Sequence, residues 1–219
     1  MFLFEGPEAA DITILFAHGA GAGMDSAAMG AASTALAPPL VTPSTRWSRL
    51  PTPPLAITGT GTARFEFAYM AARRTSEGRK PPPKAELLMD EYRAAIGALQ
   101  AKGKLIIGGK SMGGRVASMI ADEQLAVGRI AGLFCLGYPF HPPGKPESLR
   151  TAHLETLATP ALICQGTRDI FGSRQEVAAY ALSKAIEIRW FEDGDHDLKP
   201  RKAVSGFSHA DHMKSMAEA

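Results

Sequence analysis

Five residues, Gly109-Lys110-Ser111-Met112-Gly113, set a serine between two glycines at the spacing of a sharp turn. They follow the apolar run Leu105-Ile106-Ile107 and lead into a helical stretch over residues 112–122. A G-x-S-x-G at a strand-to-helix junction lifts the serine hydroxyl onto a strained turn. The helix N-terminus then aims free amides and partial positive charge at the reacting centre. Ser111 is therefore read as a nucleophile, against the plainer reading of a tight turn. A second rival is the phosphate cradle G-x-x-x-x-G-K-S. That pattern needs glycine at position 104, where Lys104 stands, and Gly103 is one residue too early. Leu105-Ile106-Ile107 is strand-like where the cradle requires a loop, which argues against a nucleotide triphosphatase.

A serine hydroxyl needs a base, and behind an elbow of this kind the chain order is serine, acid, histidine. Asp169 follows the apolar run 161–164 and Gln165-Gly166, and His196 follows Ile186–Phe191. Both fall at strand C-termini, the edge where open α/β sheets hold their sites. His196 would take the Ser111 proton, and Asp169 would fix its tautomer. Asp169 also reads as a turn residue paired with Arg168. Asp193 and Asp195 are competing carboxylates, but they stand too near His196 in sequence to face its ring. Asp195-His196-Asp197 lacks the second ligand cluster that a metal would need. For an oxyanion hole, the amides of Ala20 and Met112 are assigned, Ala20 lying in the glycine-rich stretch His18-Gly19-Ala20-Gly21-Ala22-Gly23 after the first strong strand. Those glycines do not match the dinucleotide spacing G-x-G-x-x-G. His18, Tyr69, Tyr138 and His141 are candidates for the substrate pocket. His153, His209 and His212 are expected at the surface.

The elements that must position these residues alternate. Apolar runs occur at Ile12–Ala17, Phe65-Glu66-Phe67, Leu105-Ile106-Ile107, 130–136, 161–164 and Ile186–Phe191. They lack strict alternation, as in a parallel sheet covered on both faces. Between them, Leu88, Tyr92, Ala95, Ile96 and Leu99 make one helical stripe, and Ser173-Arg174-Gln175-Glu176 is a capping box. The expectation is a doubly wound, mostly parallel α/β sheet of about six to seven strands with little or no cap, in one domain over residues 1–219. Residues 38–62 break the rhythm with Pro, Thr and Gly, and read as an insertion that is either a lid or a mobile loop. Pro81-Pro82-Pro83 reads as a stiff linker.

With 219 residues the chain suits a single domain. A net charge of +2 is too small to argue for nucleic acid or an anionic membrane, so the expected partner is a small-molecule substrate; oligomeric state stays open. Cys135 and Cys164 sit within apolar runs and read as inert core thiols. The opening Met1-Phe2-Leu3-Phe4-Glu5 is too short for a secretory apolar region, and no run approaches a membrane span, so a cytoplasmic location is expected. No cofactor and no metal is called for.

The motifs together resemble a known family. His18-Gly19-Ala20-Gly21-Ala22-Gly23-Met24-Asp25-Ser26 and residues 108–115, 135–146, 165–172 and 193–202 are similar to small bacterial α/β-hydrolase-like proteins. These are distantly similar to dienelactone hydrolases, and a related domain occurs in a subunit of an animal chromatin-acetylation complex. The resemblance implies the α/β-hydrolase fold and the triad Ser111, Asp169 and His196, and it implies no substrate. Such proteins pass from the first helix to the Phe65-Glu66-Phe67 strand by a short loop, so residues 38–62 depart from the pattern. Two functions follow: a cofactor-free serine hydrolase of a small ester, thioester or lactone, or a non-catalytic binding protein of the same fold.

Overall fold

The computed structural model describes residues 1–7, 9–37, 59–74 and 81–219. Within them, one sheet holds β1 (Leu3–Glu5), β2 (Ile12–Ala17), β3 (Thr60–Phe65), β4 (Lys104–Lys110), β5 (Gly132–Leu136), β6 (Ala161–Gly166) and β7 (Ile186–Phe191). The spatial order is β1-β3-β2-β4-β5-β6-β7, with β1 antiparallel at one edge and the other neighbours parallel. The helices are α1 (Ala27–Leu36), α2 (Ala68–Arg73), α3 (Met89–Ala98), α4 (Met112–Ala126), α5 (Arg174–Val177), α6 (Lys202–Ser205) and α7 (His209–Ala217).

β2, β4, β5 and β6 carry largely apolar runs because both faces of the sheet are covered. Leu15 and Ile107 pack on one side with Tyr92 of α3 and Val116 and Ile120 of α4. Ile14 and Phe16 pack on the other with Met29 of α1 and Met213 and Met216 of α7. Burying one side chain of this size contributes roughly 1.5–3 kcal/mol. Tyr92 also ties helix to sheet: its hydroxyl donates toward Leu15 O (2.8 Å) and Gly108 O (2.6 Å) and accepts from Gly108 N–H (2.9 Å). Cys135 and Cys164 are buried free thiols, and burial pushes both up from the ordinary thiol range.

Three elements differ from the sequence reading. The strand expected over Phe65-Glu66-Phe67 is Thr60–Phe65 instead, because Ile12 to Ala17 pair in parallel register with Thr60 to Phe65. Phe67 lies past its end as the N-cap of α2. Residues 60–62 therefore belong to β3 and not to an insertion, and residues 38–58 lie outside the described residues. β1 is a three-residue edge strand, too short to show a pattern. β4 continues through Gly108 and Gly109 to Lys110, which brings the sheet to the residue before Ser111. The Ser173 capping box is present, on a helix of four residues.

Candidate active site

Ser111 joins β4 to α4 at φ 52° and ψ −117°, in the left-handed half of backbone space that side chains rarely adopt. Its N–H donates to Leu136 O at 2.9 Å, so β5 anchors the turn. The turn is as tight as the packing allows. A Cβ on Gly113 would stand 2.5 Å from Ala17 O and 2.7 Å from His18 O, so only glycine lets α4 approach the end of β2. The loop after β2 passes close by, since a Cβ on Gly19 would sit 3.5 Å from Ser111 Cβ. Met112 opens α4, where its amide has no intrahelical carbonyl to bond. Ala20, Ser111 and Met112 line one cavity of about 1090 Å³.

Asp169 and His196 meet. His196 Nδ1 and Asp169 Oδ2 are 2.8 Å apart, and the aspartate is fully buried. Against a carboxylate, Nδ1 is the protonated nitrogen and donates, which leaves the Nε2 lone pair as a base. The carboxylate is held on all sides. Gln165 Nε2 donates to Oδ2 (2.9 Å) and Phe171 N–H to Oδ1 (2.9 Å). Gln165 is itself locked at the end of β6: its Oε1 accepts from Tyr138 N–H at 2.7 Å, and its Nε2 also reaches Tyr138 O and Gly172 O, both at 3.2 Å. The Phe171 ring lies 4.3 Å from the His196 ring and lines the cavity with Ser111. Gly137, at φ 62°, clears space for the histidine, because a Cβ there would stand 2.5 Å from His196 O. No hydrogen bond joins Ser111 to His196 among the described residues.

Lys110 bridges the two halves. It is buried at the end of β4, and its Nζ donates to His196 O (2.5 Å) and pairs with Asp197 Oδ1 (3.1 Å). Burial lowers its affinity for a proton, and Asp197 opposes that shift. The rest of the histidine loop is fixed by Asp193, at φ 54°, which takes Arg201 through its backbone N–H and guanidinium. Arg168 bonds Asp193 O at 2.7 Å and not Asp169, so the reading of Asp169 as a partner of Arg168 does not hold.

A family model described as "Alpha/beta hydrolase domain" matches residues 10–219. The chain belongs to that family. Solved structures agree on the fold. Dienelactone hydrolase from Anabaena variabilis is 17% identical with a TM-score of 0.66, over 99% of this chain and 88% of that one. An alpha-beta serine hydrolase homologue from Coxiella burnetii is 16% identical at 0.65, over 99% and 88%. The esterase domain of a Rhodothermus marinus protein is 16% identical at 0.60, over 98% and 88%.

In this α/β-hydrolase domain the four pocket candidates lie elsewhere: none of His18, Tyr69, Tyr138 and His141 lines the cavity beside Ser111. Each is turned into packing. His18 is fully buried, accepting from Phe67 N–H at 3.1 Å and donating to Gly19 O at 2.6 Å. The Arg73 guanidinium lies over the Tyr69 ring at 5.1 Å, and the Tyr69 hydroxyl donates to Gly19 O at 3.4 Å; burial pushes that hydroxyl up to about 12. Tyr138 is buried beside Ser118, and His141 Nδ1 donates to Pro142 O at 2.8 Å. His212, expected at the surface, is buried and bonds Leu198 O at 2.8 Å. His153 is half-buried on Ser118, whose Oγ lies 2.8 Å from its Nε2.

The cavity wall instead carries Pro82, Pro83, Met112, Arg115, Pro139, Arg150 and Phe171. Sequence reasoning missed Gln165, Arg115 and Arg150 and treated Lys110 only as a false phosphate signal. Gln165 did leave a trace, a polar residue closing a buried apolar strand. Among the described residues no group of three His, Cys, Asp or Glu is placed to hold a metal, and no helix is long and apolar enough to cross a membrane.

Proposed function

We propose that this domain is a serine hydrolase cleaving a small ester, thioester or lactone through an acyl-Ser111 intermediate. One observation carries the reading. A serine at left-handed φ on the β4–α4 turn opens on a cavity whose wall residue Phe171 packs on the ring of His196, itself bonded to the buried Asp169.

The steps follow from the positions. His196 Nε2 takes the Ser111 proton as Oγ attacks the carbonyl carbon. The developing oxyanion is met by the Met112 and Ala20 amides. Collapse expels the alcohol or thiol, which leaves with the proton from His196. Water then loses a proton to His196 and attacks the acyl carbon. Ser111 Oγ departs and recovers that proton, releasing the acid. Asp169 stays ionised throughout and stabilises the imidazolium. The open Ser111–His196 leg suits a catalytic hydrogen bond that tightens only with substrate bound. It also suits a non-catalytic binding protein of the same fold.

A fluorophosphonate probe separates the two. Wild-type protein is expected to label, and Ser111→Ala is not. Equal labelling of both, or of neither, removes the nucleophile and leaves the binding reading.

A further inference from the structure

The cavity beside Ser111 is electrically lopsided: Lys84, Arg115 and Arg150 line it against one carboxylate, Glu86. That carboxylate is already engaged, with its Oε1 2.8 Å from Arg115 Nη2. Arg115 Nε is buried without a hydrogen bond. The Arg150 guanidinium is half-buried and makes no hydrogen bond or ion pair among the described residues, although its backbone is fixed by bonds to Phe140 O and from the Tyr138 hydroxyl. Burial and the charge of Arg115 both disfavour its cationic form. A partly desolvated guanidinium normally pairs with an anion, and here a second guanidinium lines the same cavity instead.

Arg115 stands one helical turn beyond Ser111, its N–H donating to Ser111 O at 3.0 Å. Ser111 and Arg115 line the same cavity, so an anion held at Arg115 would share it with a carbonyl at Ser111 Oγ. Guanidinium forks match the oxygen pairs of carboxylate and phosphate. We propose that Arg115 and Arg150 form an anion-binding subsite, and that the substrate is an ester carrying a carboxylate or phosphate a few bonds from its reacting carbonyl. The ester half of this statement rests on the hydrolase reading; the anion half does not.

Calorimetry on Ser111→Ala protein tests the anion half without turnover, using glutarate, inorganic phosphate and neutral glutaramide. Glutarate or phosphate is expected to bind more tightly than glutaramide, and the tighter of the two identifies the group. Adding Arg150→Gln, which cuts no described side-chain bond, is expected to weaken that binding at least tenfold. Equal affinities for anions and glutaramide, or no change in Arg150→Gln, overturn the subsite. In protein retaining Ser111, the ratio of kcat/KM for p-nitrophenyl hemiglutarate over p-nitrophenyl butyrate is expected to fall at least tenfold with Arg150→Gln. Anion binding without turnover of either ester retains the subsite and removes the hydrolase. Turnover of both esters without anion preference or binding does the reverse.

Discussion

Two serines on α4 or its cap, Ser111 and Ser118, each have a histidine to consider, and only the second is hydrogen-bonded to one. Ser118 Oγ lies 2.8 Å from His153 Nε2, a contact that distance alone would favour. Yet Ser118 is buried within the helix, its hydroxyl donates back to Arg115 O at 2.7 Å, and Tyr138 lies on its other side at 3.3 Å. No carboxylate bonds His153 among the described residues. Ser111 has the reverse: a left-handed backbone, a cavity, and, behind the cavity residue Phe171, a histidine backed by a fully bonded aspartate. On the proposed hydrolase reading, the contrast teaches that exposure, backbone and an oriented base count together in choosing the nucleophile. On that reading, the short Ser118–His153 distance inside α4 is packing.

The sharpest way to break this comparison is to remove each hydroxyl in turn. Ser111→Ala is expected to lower kcat on a p-nitrophenyl ester by on the order of 10⁶-fold. Ser118→Ala is expected to leave kcat within a few-fold and to lower stability by about 1 kcal/mol in urea unfolding. A reversal of the two would make His153 the base. Next comes Asp169→Asn, which removes the charge that holds the His196 tautomer. A kcat loss on the order of 10⁴-fold is expected, with folding retained by circular dichroism. Loss of folding instead would mark the Asp169–Gln165 cluster as structural.

Lys110→Met sharpens the contrast more finely, because it cuts the tie from Nζ to His196 O and Asp197 without touching substrate. On the hydrolase reading Lys110 acts as a positioning residue. kcat is expected to fall about 10- to 100-fold with KM nearly constant. A rise in KM at constant kcat would assign it to binding.

The smallest effect belongs to His153. Burial lowers its proton affinity in the folded state, so below the ordinary histidine value near pH 6.5 the unfolded chain binds the extra proton first. Stability is therefore lost as pH falls through that value toward the lower folded one. His18 is shifted the same way, also by burial. His153→Gln is expected to shallow, not abolish, the fall in urea midpoint between pH 7 and pH 5. An unchanged slope would contradict a His153 held neutral by its partial burial on Ser118.

Much of this was legible in residue order. The serine elbow, the acid and the histidine each follow an apolar run, and parallel strands deliver the ends of such runs to one edge of the sheet. The Thr60–Phe65 strand was not, because Thr-Gly-Thr-Ala-Arg-Phe has neither a continuous apolar run nor alternation; its pairing with β2 decides it. Pocket residues failed for a related reason. His18 and His141 have polar rings that suit a site, but both are buried, His18 bonded to the distant Phe67 N–H and His141 to the adjoining Pro142 O. Arg115 and Arg150 are 35 positions apart in the chain, and only the fold brings them to one wall.

The left-handed backbone at Ser111 has a thermodynamic edge. A non-glycine residue in so sparsely populated a conformation costs of order 1–3 kcal/mol. Glycine would sit there without that cost, so Ser111→Gly is expected to raise the melting temperature while abolishing probe labelling. Folding alone would favour glycine at position 111, and the hydroxyl is held there against the preference of its own backbone.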